Sequence, residues 1–448
     1  MRRGHSTVAR HLQSVLADIH ELDPALGAFV AVAGDEALRQ AEAADRMISA
    51  LGERAWTTRP LLGVTFSVKD LIQTRDLPTR RGSLLPNHRT AADAPAVIRL
   101  REAGAIIVGK TTTSEYGWSA STVSRVAGPT RNPWNHDRSA GGSSGGAAAA
   151  VSAGLCTAAL GTDGAGSIRI PAAFCGVVGF KPSYARIPYV PPCADRLAHV
   201  GPVARSVADV AELTSVLAGR HNGDPDSMTG SVRAPRRQGP LRIGWIEFPG
   251  TSPEVRRVSE QSLSVLKEQG HQVECIAVPF SDPYDALVDI IAASEAASTA
   301  PADHDQSDQG RIAVVAYGRT LSGASVMRAE QARLDLRIKL ASVMDHYDLL
   351  AMATVPVEPF SALAIGPPWA ADPAERLWLA WAPATYPFNL TGQPAVSLPA
   401  GFTDSGLPVG LQLVGPVGGD DLVLWAAGRV EADLHLALVP PPVVPQKG

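Results

Sequence analysis

Residues 139–167 read SAGGSSGGAAAAVSAGLCTAALGTDGAGS: two glycine-serine loops separated by a run of small residues. The first loop, residues 140–146, carries too much glycine to hold a core, because glycine loses the most backbone entropy on ordering and brings no side chain to bury. Its use is close backbone approach. Residues 146–154 favour helix through their alanines, and their lack of bulk lets that helix pack tightly. Residues 155–160 read as a short buried strand that ends in the second loop, residues 161–167. The two loops can then bring Ser143 and Ser167 toward each other.

Outward on the N-terminal side, Val64, Phe66 and Val68 alternate with Thr65, Ser67 and Lys69, the pattern of a strand. Lys69 therefore shares a face with two hydroxyl residues. Ser6 is placed to cap a first helix carrying Val8, Leu12, Val15 and Ile19, and a second helix is expected over residues 35–51. Residues 93–103 predict a helix, capped by Asp93 and closed by Gly104, followed by a strand over 105–111. Residues 104–111 match GxxxxGK[ST] by letter, yet a helix precedes them and their middle is strand-like, so a phosphate loop is rejected. Residues 141–145 match the GxSxG elbow, which needs a strand leading in and an acid and a histidine in order behind it; a polar, proline-broken stretch leads in, so a Ser/His/Asp hydrolase stays open only as a minor alternative. His136 and His199 are expected at the surface or behind the site.

Beyond Ser167, residues 168–182 predict a glycine-punctuated strand or helix-turn region. Gly201 and Pro202 read as a turn into a helix over 206–217, and residues 221–239 as a polar excursion. A strand over 241–245, a helix over 253–269 and a strand over 272–278 alternate as in an α/β sheet. Residues 300–309 form a polar break and 331–346 a long helix. Strands over 394–399 and 408–413, joined by a turn between Gly401 and Gly406, close the fold. One domain is expected over residues 1–438, with a proline-rich, disordered tail over 439–448.

The 448 residues are 45% hydrophobic and 19% charged, ample for a large core. A net charge of -4 supplies no basic footprint for nucleic acid. Cys156, Cys175, Cys193 and Cys275 have no metal-ligand spacing, and buried or inert thiols of a reducing compartment are expected. No metal or other cofactor is called for. Residues 1–5 lead into no signal-peptide core, and no apolar run reaches membrane-spanning length. A cytoplasmic protein without membrane contact is expected.

The available chemistry is a serine on a glycine loop and a lysine at a strand end. A serine hydroxyl needs a base, and burial can supply one by lowering a lysine pKa. The amides of residues 164–167 can converge on one oxyanion. The chain resembles the amidase signature family in residues 63–70 (GVTFSVKD), 93–111, 132–134 (NPW), 139–146 (SAGGSSGG), 161–171 (GTDGAGSIRIP) and 174–182, in family order and with the 24-residue step from Ser143 to Ser167. Weaker likeness runs through residues 201–209 and 389–416.

That resemblance implies a single α/β domain around a mixed, twisted sheet of about eleven strands. It also implies a Ser-cis-Ser-Lys triad, with Ser167 the nucleophile, Ser143 the proton relay on a cis peptide, and Lys69 the base. Gly164, Ala165 and Gly166 are expected to form the oxyanion hole, Asp163 and Arg169 to brace the second loop by charge and hydrogen bonding, and Tyr116, Trp118 and Thr122, in a segment that lines the acyl pocket in relatives, to be weaker substrate contacts. The activity implied is hydrolysis of a small-molecule amide through a serine acyl-enzyme. Two other classes stay open: the amidase component of a glutamine-dependent amidotransferase, and an amide-forming or non-hydrolytic descendant. A homodimer is one open assembly. Ala165 departs from the family's glycine pair and Ala198 from a common aspartate.

Overall fold

The computed structural model describes residues 6–86, 92–230, 232, 239–436 and 438–439. Eleven strands form one sheet: β1 (Phe29–Val32), β2 (Thr65–Lys69), β3 (Ile106–Thr111), β4 (Ala158–Asp163), β5 (Val178–Lys181), β6 (His199–Ala204), β7 (Arg242–Ile246), β8 (Gln272–Ile276), β9 (Leu349–Ala353), β10 (Ala395–Phe402) and β11 (Pro408–Val414). Their order is β1-β3-β2-β4-β6-β5-β10-β11-β9-β7-β8. β3-β2-β4 and β9-β7-β8 are parallel triplets; the other pairings are antiparallel, so the sheet is mixed as expected.

The helices that cover it are α1 (Val8–Leu26), α2 (Gly34–Leu51), α3 (Pro95–Glu102), α4 (Gly145–Ser152), α5 (Arg169–Cys175), α6 (Val207–Leu217), α7 (Pro253–Glu268), α8 (Tyr284–Ser298), α9 (Gln309–Gly318), α10 (Gly323–His346) and α11 (Asp420–Leu434). Successive strand residues face opposite ways. Ile107, Phe66, Val68, Leu349 and Ala351 accordingly pack with α3, α6, α7 and α11, through Leu100, Val210, Val258 and Val423. Their neighbours Ile106 and Val108 meet α1, α2 and the alanines of α4 on the other face. Leu350 and Met352 join Leu287 of α8 and Leu340 of α10 in a third cluster rich in Trp and Tyr.

Several elements differ from expectation. Thr7, not Ser6, caps α1, accepting from the Arg10 amide at 3.1 Å. Asp93 caps nothing: it ion-pairs with Arg101 at 3.0 Å, and α3 starts on Pro95, which needs no amide partner. The first serine loop is entered from a short strand, Asn135–Ser139, paired with Arg131–Asn132 in a ribbon outside the main sheet. β4 begins three residues later than read and runs through Gly161, Thr162 and Asp163, while residues 155–157 close off α4. Gly201 and Pro202 lie inside β6 rather than in a turn, and Ser206 caps α6 as expected. α10 begins eight residues earlier than read. Of the cysteines, expected to be buried or inert, Cys156 and Cys175 are buried, Cys193 is partly so and Cys275 is exposed. The tail beyond residue 439 and residues 231 and 233–238 of the 221–239 excursion lie outside the described residues. Among the described residues no helix is long and apolar enough to cross a membrane.

Candidate active site

Alternation along β2 sends Phe66 and Val68 into one core and Thr65, Ser67 and Lys69 to the other face, where Thr65 and Ser67 meet Thr157 and Cys156 and Lys69 meets the first serine loop. Lys69 is fully buried, not the solvated rim residue that a strand-end lysine usually is. Its Nζ lies 2.8 Å from Ser143 Oγ, 2.8 Å from Ser144 Oγ and 3.3 Å from the Thr162 carbonyl. No carboxylate pairs with it among the described residues. Burial holds its pKa well below the ordinary lysine value, partly opposed by the charge of Asp163.

The three contacts suit an ammonium or a neutral amine, and burial favours the neutral form. Ser144 Oγ donates to the Thr162 carbonyl at 3.1 Å, so toward Lys69 it presents a lone pair. The Thr162 carbonyl can only accept. A neutral amine fills both with its two N–H bonds, and its lone pair is left for the Ser143 hydroxyl.

The Gly142–Ser143 peptide is cis. The two loops are joined where the Ser144 amide donates to the Ser167 carbonyl at 3.0 Å. Thr122, expected at the substrate, is buried beneath the first loop instead. It donates to the Gly141 carbonyl at 2.8 Å and accepts from the Gly145 amide at 2.9 Å, and it does not line the cavity.

Asp163 at the end of β4 and Arg169 at the start of α5 are both fully buried and form a two-point pair, Nε–Oδ2 at 2.9 Å and Nη2–Oδ1 at 3.0 Å. Burial pushes the Asp163 carboxyl up, but Arg169, with Lys181 and Asn389, together outweigh it and hold the group below the usual carboxylate range. The Asp163 carboxylate also accepts from the amides of Gly166 at 2.7 Å and Ile168 at 3.1 Å. The amide of Gly166, expected in the oxyanion hole, is therefore already engaged. Those of Gly164, Ala165 and Ser167 carry no hydrogen bond among the described residues, which leaves them as the available donors. Gly166 has φ +121°, and a Cβ there would meet Thr385 Oγ1 at 2.6 Å. Ala165 is compatible with its place: its carbonyl accepts from Thr385 Oγ1 at 2.7 Å and it faces the cavity.

A cavity of about 470 Å³ opens over the loops, walled by Ser143, Ser167, Gly164 and Ala165 together with Tyr116 and Trp118. Ser167 is 9% exposed, enough to meet a ligand there. Ala198 stands in the same wall, as does Cys193, whose thiol burial pushes up to about 12. His199 is buried behind Asp163, its Nδ1 at 2.7 Å from the Leu197 carbonyl and 3.2 Å from that of Asp163; His136 sits half-exposed on the ribbon. Lys110, from the rejected phosphate-loop match, is buried in β3 against Thr79 and the Ile72 carbonyl. No cluster of metal-ligating side chains occurs among the described residues.

Ser144 was missed by sequence reading. The only signal was its place beside Ser143 in GGSSGG, and nothing in that pair says which hydroxyl serves which partner. Also missed were Arg81 and Glu295 in the cavity wall.

A buried lysine, two serine loops and an arginine-braced turn meet beside one cavity on a mixed α/β sheet. The family model described as Amidase matches residues 10–424, and the chain belongs to the amidase signature family. It is 37% identical over 464 residues to a glutamyl-tRNA(Gln) amidotransferase subunit of Thermus thermophilus, covering 95% of this chain and 93% of that one. An acylamidase of Rhodococcus erythropolis is 35% identical over 441 residues, with 94% and 91% covered. The solved structure of a 6-aminohexanoate cyclic dimer hydrolase complexed with substrate superposes with TM-score 0.87 at 29% identity, covering 99% and 97%.

Proposed function

We propose that this chain is an amidohydrolase that cleaves a carboxamide C–N bond through an acyl-enzyme on Ser167. The observation that carries the reading is the buried, carboxylate-free contact of Lys69 Nζ with Ser143 Oγ at 2.8 Å, in the loop that shares a cavity wall with Ser167. Ser143 passes its proton to the lysine lone pair and takes one from Ser167, whose oxygen attacks the carbonyl carbon. The free amides of Gly164, Ala165 and Ser167 receive the oxyanion. The proton returns through Ser143 to the departing nitrogen, and water then attacks the ester by the same relay. The reading calls for no cofactor. It extends to small-molecule amides, linear ones included.

A fluorophosphonate probe tests it without knowledge of the substrate. Peptide mass spectrometry is expected to find the adduct on Ser167, with labelling abolished in Ser167→Ala and greatly slowed in Lys69→Ala. A folded wild-type protein that stays unlabelled sinks the stand-alone hydrolase.

The likeness to the amidotransferase favours a second reading, in which the chain supplies ammonia from glutamine inside a larger complex. Glutaminase activity that appears only with a co-purifying second protein would decide for it; ammonia release by the isolated chain would decide against it.

A further inference from the structure

The charges that face the cavity are unevenly matched. Glu295 of α8 is held by Arg311 of α9, with Nε at 2.7 Å from Oε2, and Lys69 is masked by burial. Asp195 accepts from the Leu197 amide at 2.9 Å. Asp195 and Arg81 thus both lack an ion-pair partner among the described residues, and no carboxylate pairs with the Arg81 guanidinium. It does not reach Asp70 either, which is taken by Lys110 at 3.8 Å and by the amides of Arg80 and Gly82.

Arg81 is also held firmly. Its φ of 58° lies in the left-handed region that side-chain-bearing residues seldom adopt. Such a conformation persists where the surroundings fix it. Here the Arg81 amide donates to the Asp70 carbonyl at 3.0 Å, and its own carbonyl accepts from the Tyr116 amide at 2.8 Å. Tyr116, at φ 52°, has two cations at its ring, Arg81 at 5.8 Å and Arg311 at 4.2 Å from the centroid. Asp70 directly follows Lys69, so the strand that places the proposed base also places this arginine. Gln73 adds a carboxamide to the same wall.

The geometry points to Arg81 as a specificity residue that receives a carboxylate carried by the substrate away from the scissile amide. The assignment rests on the amidohydrolase reading and narrows it to monoanionic amides. A planar guanidinium matches a carboxylate by two parallel hydrogen bonds. Asp195 and Glu295 in the same wall disfavour a dianionic phosphate. A half-buried arginine without a carboxylate partner gains most from a ligand that brings the missing charge.

The test compares two series of 4-nitroanilides: succinyl, glutaryl and adipyl, each with a free carboxylate, against butyryl, valeryl and hexanoyl. In wild-type protein kcat/KM is expected to favour at least one carboxylate member over its neutral partner by about 10- to 100-fold, mostly through KM. Arg81→Met is expected to bring that ratio to about one, with Arg81→Lys between. The ratio carries the result, because the neutral series reports any general disturbance of the site. A wild-type ratio near one at all three lengths, or a preference that survives Arg81→Met, overturns the assignment.

Labelling of Ser167 by fluorophosphonate, run beside it, separates failure of the amidase reading from failure of this one. If Ser167 does not label, calorimetry with glutaramate decides for Arg81: binding lost in Arg81→Met supports the assignment, and equal or absent binding overturns it.

Discussion

Lys69 has three partners and room for two protons if it is to act as a base, which makes its protonation state the controlling quantity. Burial depresses its pKa, so acylation of Ser167 is expected to fall as pH drops through that lowered value and the amine takes up a proton. The linkage has the same sign. The unfolded chain binds this proton near the ordinary value of about 10.4, so stability drains away as pH falls from there toward the folded-state pKa. Lys69→Met should therefore slow labelling by about 10²–10⁴-fold while leaving the thermal midpoint unchanged or raised; a large fall in the midpoint would mean that Lys69 is structural. Ser144→Ala is expected to act more gently. It removes one acceptor from the amine, a loss of about 1 kcal/mol, or roughly 2- to 10-fold in the labelling rate. Labelling kinetics of the two variants side by side give the ranking; an equal loss would make Ser144 rather than Ser143 the relay.

The turn between β4 and α5 is the element that shapes the proposed oxyanion site, and its charge pair sets its cost. Asp163→Asn leaves Arg169 buried without its counter-ion, and breaking such a pair costs about 3–5 kcal/mol. Because Arg169 holds the Asp163 carboxyl below its ordinary range, the pair's contribution is present above the unfolded carboxyl pKa of about 3.9 and is lost as pH falls below it. Thermal unfolding from pH 3 to 7 should show the wild-type midpoint dropping on the acid side, with Asp163→Asn low throughout and less dependent on pH; parallel curves would remove Asp163 from the acid response. This turn also shows where sequence was readable and where it was not. The serines and the lysine were legible through the family motifs they occupy, since a strand-end lysine alone reads as a solvated rim residue, and the brace through an acid and an arginine flanking a glycine loop. The start of β4 was not, because Gly161 and Asp163 are poor strand formers in isolation. Tertiary structure overrides them: β6 pairs with every residue from Ala158 to Asp163, and at Gly161 a Cβ would stand 3.0 Å from Ser144 Oγ. Pro202 misled in the same way. It is tolerated within β6 because the ladder to β5 includes only Val203 and Ala204.

Across the whole molecule, segments far apart in the chain are clasped at the site. Arg169 reaches the Thr385 carbonyl at 2.9 Å, Gln412 Oε1 at 2.8 Å and Asn389 Oδ1 at 2.6 Å, while Asn389 Nδ2 returns to both the carbonyl and the carboxylate of Asp163 at 2.9 Å. These partners lie more than 200 residues apart, and no periodicity connects them. That is why Asn389 and Gln412 could be placed in family-like segments by reading yet given no role. Gln412 Nε2 donates to the Ala384 carbonyl at 2.7 Å, so Gln412 also fixes the segment that carries Thr385 beneath Ala165. The clasp predicts coupling. Asn389→Ala and Gln412→Ala should each destabilise the fold by about 1–3 kcal/mol, since each leaves a buried guanidinium nitrogen short of an acceptor. Both act on one cation, so the second loss finds the network already loosened, and the double variant should fall short of the sum by at least about 0.5 kcal/mol. Denaturant unfolding of the four proteins measures that difference, and Ser167 labelling of the same set shows whether the shortfall appears in the proposed chemistry as well. Strict additivity in both would mean that Asn389 and Gln412 hold their own segments only, and that the serine turn is set by Asp163 and Arg169 alone.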